Sequence, residues 1–437
     1  MNIDNLKKID LTVVTIVILL LVIGLINIYS TTYFPDKTAS GLFINQIIYV
    51  AVGIVLMFII FILNYKKLNI ILFQTLAFLF TLTLLIAVIF FGDEVLGAQR
   101  WISLVGFTIQ PAEFAKITII LTTAFILSLN KPFKTNKFVK ENFLVIKIAA
   151  SFMVLFLTTS LVALQNSLGN TILISLIWGI MVLTTFKITE SFVLSVTLFI
   201  NGFILPFVFS SSLLFAIVLS VTLGLNAYYL RKQHKLKLFI IIPIILISLF
   251  LKPSVDVAYN HVLQDYQRQR IDTFINPNAD PTASWNRSQA KIALGSGRIL
   301  GKGFLKGTHS NYRFLPFSFN DFAFAAIGEQ FGLVGIIFLA SLFGILLNRI
   351  VAIAKTTKDS FGRLVVFGVS ALVFVNMFQH MGMNVGILPI TGVPLPFISY
   401  GGSAILVMMI GIGLVLSVTA HSEKESNVTK AQLRVKR

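Results

Sequence analysis

Residues 11–34 read LTVVTIVILLLVIGLINIYSTTYF, an apolar run without a single charged side chain. It is long enough to cross about 30 Å of hydrocarbon as a helix. It is also too long for the apolar core of a cleaved leader and offers no small-residue cleavage site, so it reads as a first membrane span. Comparable runs follow at roughly residues 42–63, 69–91, 110–129, 143–164, 168–186, 189–208, 211–229, 237–252, 322–347, 363–388 and 399–420. The expected fold class is an all-α polytopic membrane protein of about twelve transmembrane helices. Residues 1–252 make an N-terminal bundle of about nine spans with an outer loop at 92–109, and residues 253–321 a large extracytoplasmic loop. Residues 322–420 supply three more spans and a Pro/Gly-rich hairpin at 386–403, before a flexible tail at 421–437.

Composition agrees with a life in lipid: 56% of the 437 residues are hydrophobic and 12% charged, with a mean hydropathy of +0.89. The absence of cysteine removes disulfides, thiolate metal sites and a cysteine nucleophile from consideration. The net charge of +18 is ordered along the chain. Lys7, Lys8, Lys66, Lys67, Lys131, Lys134, Lys137, Lys140, Arg231, Lys232, Arg349, Lys355 and Arg363 fall on one side of the predicted spans, whereas the short loops opposite carry Lys37 and Arg100. That asymmetry puts both termini in the cytoplasm of a multi-pass protein of the cytoplasmic membrane. The basic excess then serves topology and contact with anionic membrane lipids, and no nucleic-acid partner is expected.

Polar residues inside apolar spans are costly and mark functional sites. Gln110-Pro111-Ala112-Glu113-Phe114-Ala115-Lys116 places a carboxylate and an ammonium three residues apart on one helical face. The bland alternative is a self-neutralising structural pair. Just before it, Arg100 is a candidate phosphate ligand and Trp101 an interfacial aromatic. In the large loop, 262–274 and 285–294 are amphipathic and read as helices lying on the membrane surface or over a cavity. Gly295-Ser296-Gly297-Arg298-Ile299-Leu300-Gly301-Lys302-Gly303 mixes glycines with cations, which suits an anion but equally suits a turn between helices. Asp321, where loop meets membrane, is a candidate general base or a helix N-cap. Glu329, two turns deeper, is expected to be a structural partner of Arg or Lys. His380 and Asn376 read as interhelical hydrogen-bonding groups rather than metal ligands. The hairpin at 386–403 is too irregular for a helix and is expected to line a wet cavity.

Taken together, GAQRWI and QPAEFAK within 97–116, YQRQRI at 266–271, GSGRILGKGFLKGT at 295–308, NDF at 320–322 and GILPITGVPLPFISYGGS at 386–403 resemble the RodA/FtsW/SpoVE (SEDS) family of bacterial cell-wall synthesis. YQRQRI and GKGFLKGT are more similar to its RodA, cell-elongation branch. The resemblance implies a peptidoglycan glycosyltransferase that joins lipid II units, releases undecaprenyl diphosphate and works with a class B penicillin-binding protein. It implies Asp321 as general base, Lys116, Arg100 and Arg270 as stabilisers of the departing diphosphate, and Glu113 as the group holding Lys116. Gln110, Trp101, Lys302 and Ser399 complete the expected substrate contacts. No metal ligand is assigned, although Mg²⁺ or Mn²⁺ bridging diphosphate and carboxylate would be sound chemistry.

Three features depart from the family pattern. A family Asp after the fifth span is Ser167 here; Phe317, Phe319 and Asn320 replace the usual Glu, His and Thr before Asp321, which predicts a more apolar setting for it. The family core has ten spans rather than twelve. Two other functions compete: a non-catalytic scaffold for the transpeptidase, which Ser167 favours, and a lipid-linked sugar flippase, which requires polar groups at both ends of its path.

Overall fold

A computed structural model of the chain describes residues 8–33, 40–95, 98–104, 107–130, 142–185, 268–269, 272–274, 276, 281–312 and 314–435. The longer helices are α1 (Leu11–Thr32), α2 (Gly41–Ile62), α3 (Ile71–Phe91), α4 (Pro111–Ser128), α5 (Phe143–Leu164), α6 (Leu168–Leu183), α7 (Pro281–Ser296), α8 (Ala323–Thr356), α9 (Ser360–Val385) and α10 (Gly402–Val435). Among the described residues, eight helical segments are long and apolar enough to cross a membrane, and the 16-residue α6 is a ninth apolar helix. These nine account for the predicted spans outside residues 187–252. The spans predicted at 189–208, 211–229 and 237–252 lie outside the described residues.

The chain divides into two compact units. The first comprises Met1–Asn130, Ala149–Met181 and Arg270–Arg437, and it holds the candidate site. In the second, Lys147 lies 5.2 Å from the Phe143 ring centroid. Within the first, α4, α9 and α10 are the interior helices, with 72%, 72% and 78% of their apolar windows buried, against 22% for α3. A helix that is apolar all round must either be enclosed or face lipid. Leu72, Phe80, Phe90 and Phe91 of α3 take the second course and are exposed.

The structure revises or details four sequence expectations. Residues 93–109, read as loop, contain a three-stranded antiparallel meander: β1 (Asp93–Val95), β2 (Ala98–Leu104) and β3 (Phe107–Ile109). Asp93 pairs with Trp101 and Ile102 with Ile109. β1 and β3 are too short for alternation to stand out in the sequence, and β2 (AQRWISL) does not alternate.

The amphipathic stretch at 285–294 is helical, and its buried side packs on the bundle. Ala290 and Ala293 of α7 are buried against Leu315, Phe322 and Ala325.

Gly297 and Gly301 serve close backbone packing: a β-carbon on either would meet the main chain of Gly328 or Gln330. Lys302 N–H donates to Glu329 O (3.0 Å), Gly303 N–H to Gln330 O (2.9 Å), Leu333 N–H to Arg298 O (2.9 Å) and Val334 N–H to Ile299 O (3.1 Å). This splint spans a break in α8 at Gly332 (φ 65°, ψ −162°), where a β-carbon would meet the backbone of Ile299 and Gly301. The splint supplies hydrogen bonds where the helix's own ladder fails.

Finally, the tail expected to be flexible continues α10 to Val435, with no Gly or Pro after Gly413 to stop it.

Candidate active site

Pro111 starts α4, where its missing N–H costs nothing. One turn on, Lys116 Nζ lies 2.7 Å from Glu113 Oε1, with side-chain exposures of 0% and 3%. A buried ammonium stays charged only with such a partner. Asn376 Oδ1 of α9 accepts a further bond from Lys116 at 3.4 Å. Glu113 Oε2 has no hydrogen-bond partner among the described residues, and Glu113 lines a cavity of about 100 Å³.

The same cavity is lined by Arg100 and Trp101 of β2, Gln110, Ser167 and Asn170 of the α5–α6 connection and α6, Asn320, Thr391–Pro394 and Tyr400 of the loops, and Ser403 of α10. Arg100 reaches across to the turn after α5, donating to Gln165 O at 3.4 Å and to Asn166 O. Asn166 holds a left-handed conformation (φ 59°), which Asn tolerates better than most residues. Ser167 is buried and its Oγ accepts from Asn170 Nδ2 at 3.3 Å. The Gln110 N–H donates to Ser403 Oγ at 2.9 Å, joining the α4 start to the α10 start. Burial, and Tyr49 beside it, hold the Tyr400 phenol above its usual range.

Asp321 stands at the margin of this cavity, next to Asn320. Its Oδ2 and Oδ1 are 3.7 and 4.0 Å from where a β-carbon on Gly392 would sit, so the carboxylate faces the bare backbone of the hairpin. The N-cap reading of Asp321 is corrected: the N-cap of α8 is Phe322, and it carries no side-chain cap. Acceptors for the α8 N–H groups come from α9. Asn384 Oδ1 takes Ala325 N–H at 3.1 Å and His380 Nε2 takes Phe324 N–H at 3.4 Å.

The remaining predicted residues are placed elsewhere or lie outside the described residues. Lys302 Nζ is 2.7 Å from Glu329 Oε1, and Glu329 also accepts from the backbone N–H groups of Thr308, His309 and Ser310, each at 2.9 Å. Glu329 therefore has the cation its burial requires, while the Lys302 ammonium is held outside the cavity lining. Ser399 is buried: its hydroxyl donates to Asn320 O (2.7 Å) and accepts from Leu395 N–H (3.0 Å), so it braces the turn before Asp321. Arg270 lies outside the described residues. Thr391, Tyr400 and Ser403 belong to the irregular hairpin expected to line a cavity, and they line this one. Asn170 joins them without having been expected there, and no local pattern points to it.

Among the described residues no group of three or more His, Asp or Glu side chains is placed to hold a metal. Glu113 is the one carboxylate in the cavity lining, and Lys116 already neutralises it.

Comparison with known proteins gives this geometry a family. The model of the FtsW, RodA and SpoVE cell cycle proteins matches residues 10–216 and 208–424. The peptidoglycan glycosyltransferase MrdB of Escherichia coli strain K12 is 33% identical over 347 residues, 79% of this chain and 77% of that protein. The peptidoglycan glycosyltransferase RodA of Treponema pallidum is 30% identical over 455 residues, 96% of this chain and 100% of the relative. Among solved structures, a chain of a peptidoglycan synthase complex described as coordinating polymerization and crosslinking superposes with a TM-score of 0.65 at 24% identity, covering 94% of this chain and 97% of that one. The rod shape determining protein RodA of Thermus thermophilus gives 0.58 at 20% identity, with 95% and 97% covered. These last two establish a shared fold, and the match along nearly the whole sequence establishes descent: the chain belongs to the FtsW/RodA/SpoVE family of integral membrane proteins.

Proposed function

We propose that the protein is a peptidoglycan glycosyltransferase of the elongation type, which joins lipid II disaccharide units and releases undecaprenyl diphosphate. The reading places both termini in the cytoplasm and the cavity at the outer face, where a class B penicillin-binding protein would cross-link the product. The observation that carries it is the position of Asp321 at the margin of a polar cavity that also holds Arg100 and Glu113.

In this reading the acceptor sugar hydroxyl gives its proton to the Asp321 carboxylate as its oxygen attacks the anomeric carbon of the growing strand. The bond from that carbon to the diphosphate oxygen breaks, and the electron pair leaves on the diphosphate. A positioned base of this kind contributes about 10² to 10⁴ in rate. Arg100 is the cation in the cavity wall and offsets the charge arriving on the leaving group. Lys116 is behind Glu113 and holds its Oε1, which leaves Glu113 Oε2 to accept a hydrogen bond from the saccharide. Trp101 and Gln110 offer a ring face and an amide to the same ligand.

Ser167 in the cavity lining favours one alternative, a scaffold that binds its transpeptidase without polymerising. The test is glycan-strand formation from purified lipid II by the reconstituted protein with its partner, run beside a lipid II translocation assay. Strands without translocation are expected. Bound partner with no strands would install the scaffold reading, and translocation without strands the flippase reading.

A further inference from the structure

One face of α9 carries Asn376, His380 and Asn384 at intervals of four residues, with Gln379 beside them. The first three are fully buried and Gln379 nearly so, in a helix that is otherwise apolar enough to cross a membrane. Each has partners in a different part of the candidate site. Asn376 Oδ1 accepts from Lys116 Nζ at 3.4 Å. Gln379 Nε2 donates to Thr391 Oγ1 at 2.9 Å and to Pro389 O at 3.3 Å. His380 Nδ1 is 2.7 Å from Val393 O, while its Nε2 meets Phe324 N–H. A carbonyl only accepts, so Nδ1 carries the hydrogen and Nε2 is the acceptor. Asn384 uses both ends of its amide: Oδ1 takes Ala325 N–H and Nδ2 donates to Asp321 O at 3.0 Å.

We infer that the Asn376–His380–Asn384 stripe of α9 is a positioning element that sets the Asp321 turn against both the hairpin backbone and the Glu113–Lys116 pair. The inference rests on Asp321 being the base, and it adds what holds that base in register. The stripe runs about 12 Å along the helix, at 1.5 Å per residue. One rigid helix therefore fixes the separation of two charged centres contributed by elements more than 200 residues apart in sequence. Supplying the α8 N-terminus with acceptors from α9 also removes the capping role that an aspartate before a helix ordinarily takes. Sites held this way keep reacting groups aligned, and small displacements of them cost large factors in rate.

The chain has no cysteine, so Asp321→Cys with Gly392→Cys gives one disulfide pair for testing the register without substrate, and the strain of a side chain at φ 68° is common to every variant compared. In the intact stripe the pair is expected to oxidise readily with copper phenanthroline, read by peptide mass. With His380→Leu or Asn384→Leu added, oxidation should slow at least tenfold. His380→Gln, which can accept at one end and donate at the other, should return it to within threefold. Asn384→Ser is too short to reach both partners and small enough to be accommodated, so it carries the prediction if a leucine variant does not fold. In the parent chain, the same single substitutions should lower kcat for glycan synthesis at least tenfold and leave half-saturating lipid II within threefold. Unchanged cross-linking in the Leu and Ser variants, or a loss that falls on lipid II affinity alone, would overturn the inference. Because the cross-link is read without lipid II, a chain that made no glycan yet cross-linked as stated would sink only the polymerase reading.

Discussion

Glu113 and Lys116 are three residues apart, and on a helix that spacing alone brings their side chains together. Their burial is less legible in the sequence, since it depends on α9 and α10 closing over α4. At 0% and 3% exposure the pair is an interaction whose halves cannot be removed separately. Glu113→Gln leaves a buried ammonium without its counter-charge, and the expected cost is about 3–5 kcal/mol of stability. Thermal unfolding in detergent would show it as a large drop in midpoint, largely recovered when Lys116→Met is added. The partners of Arg100 are not readable in the same way. Gln165 O and Asn166 O are backbone carbonyls 65 and 66 residues away, and no local pattern announces a long-range contact to main chain. The same holds for Asp321: its place before a helix suggests a cap, and only the packing of α9 shows that the acceptors come from elsewhere.

At the scale of elements, the apolar helices are plain in the sequence because a run of twenty apolar residues is long enough to span a bilayer and has little use in water. What the pattern hides are the interruptions. The break in α8 at Gly332 lies inside a predicted span, and a glycine there is commonly tolerated within a helix. Its meaning emerges from the splint of residues 297–303, where Gly297 and Gly301 are needed because backbone meets backbone. Gly332→Ala would force a side chain into a conformation it rarely adopts (φ 65°) and against the Ile299 and Gly301 backbone. A loss of roughly 2 kcal/mol or more is expected, with a matching fall in unfolding midpoint. A β-carbon on Gly344 in the same helix would have nothing within 4 Å, so Gly344→Ala should be neutral or slightly stabilising. If the two variants unfolded alike, the break would have no structural role. The strands at 93–109 are hidden for a different reason: three-residue strands are too short to show alternation.

For the whole molecule, the charge pattern speaks to orientation and the family match to activity. Lys66 follows α2 in a short helical turn, whereas Ser103 is exposed on β2. In a chain without native cysteine, Ser103→Cys should react with an impermeant maleimide added outside intact cells, and Lys66→Cys should react only after lysis. The reverse pattern would place the cavity on the cytoplasmic side and exclude work on an external glycan. The central claim is that Asp321 takes the acceptor's proton, and single-turnover glycan synthesis from lipid II with the transpeptidase partner tests it most directly. Asp321→Asn keeps the shape and removes the base; the account predicts a rate lowered by about 10² or more with lipid II binding intact. An Asp321→Asn protein that polymerised at the wild-type rate would contradict it.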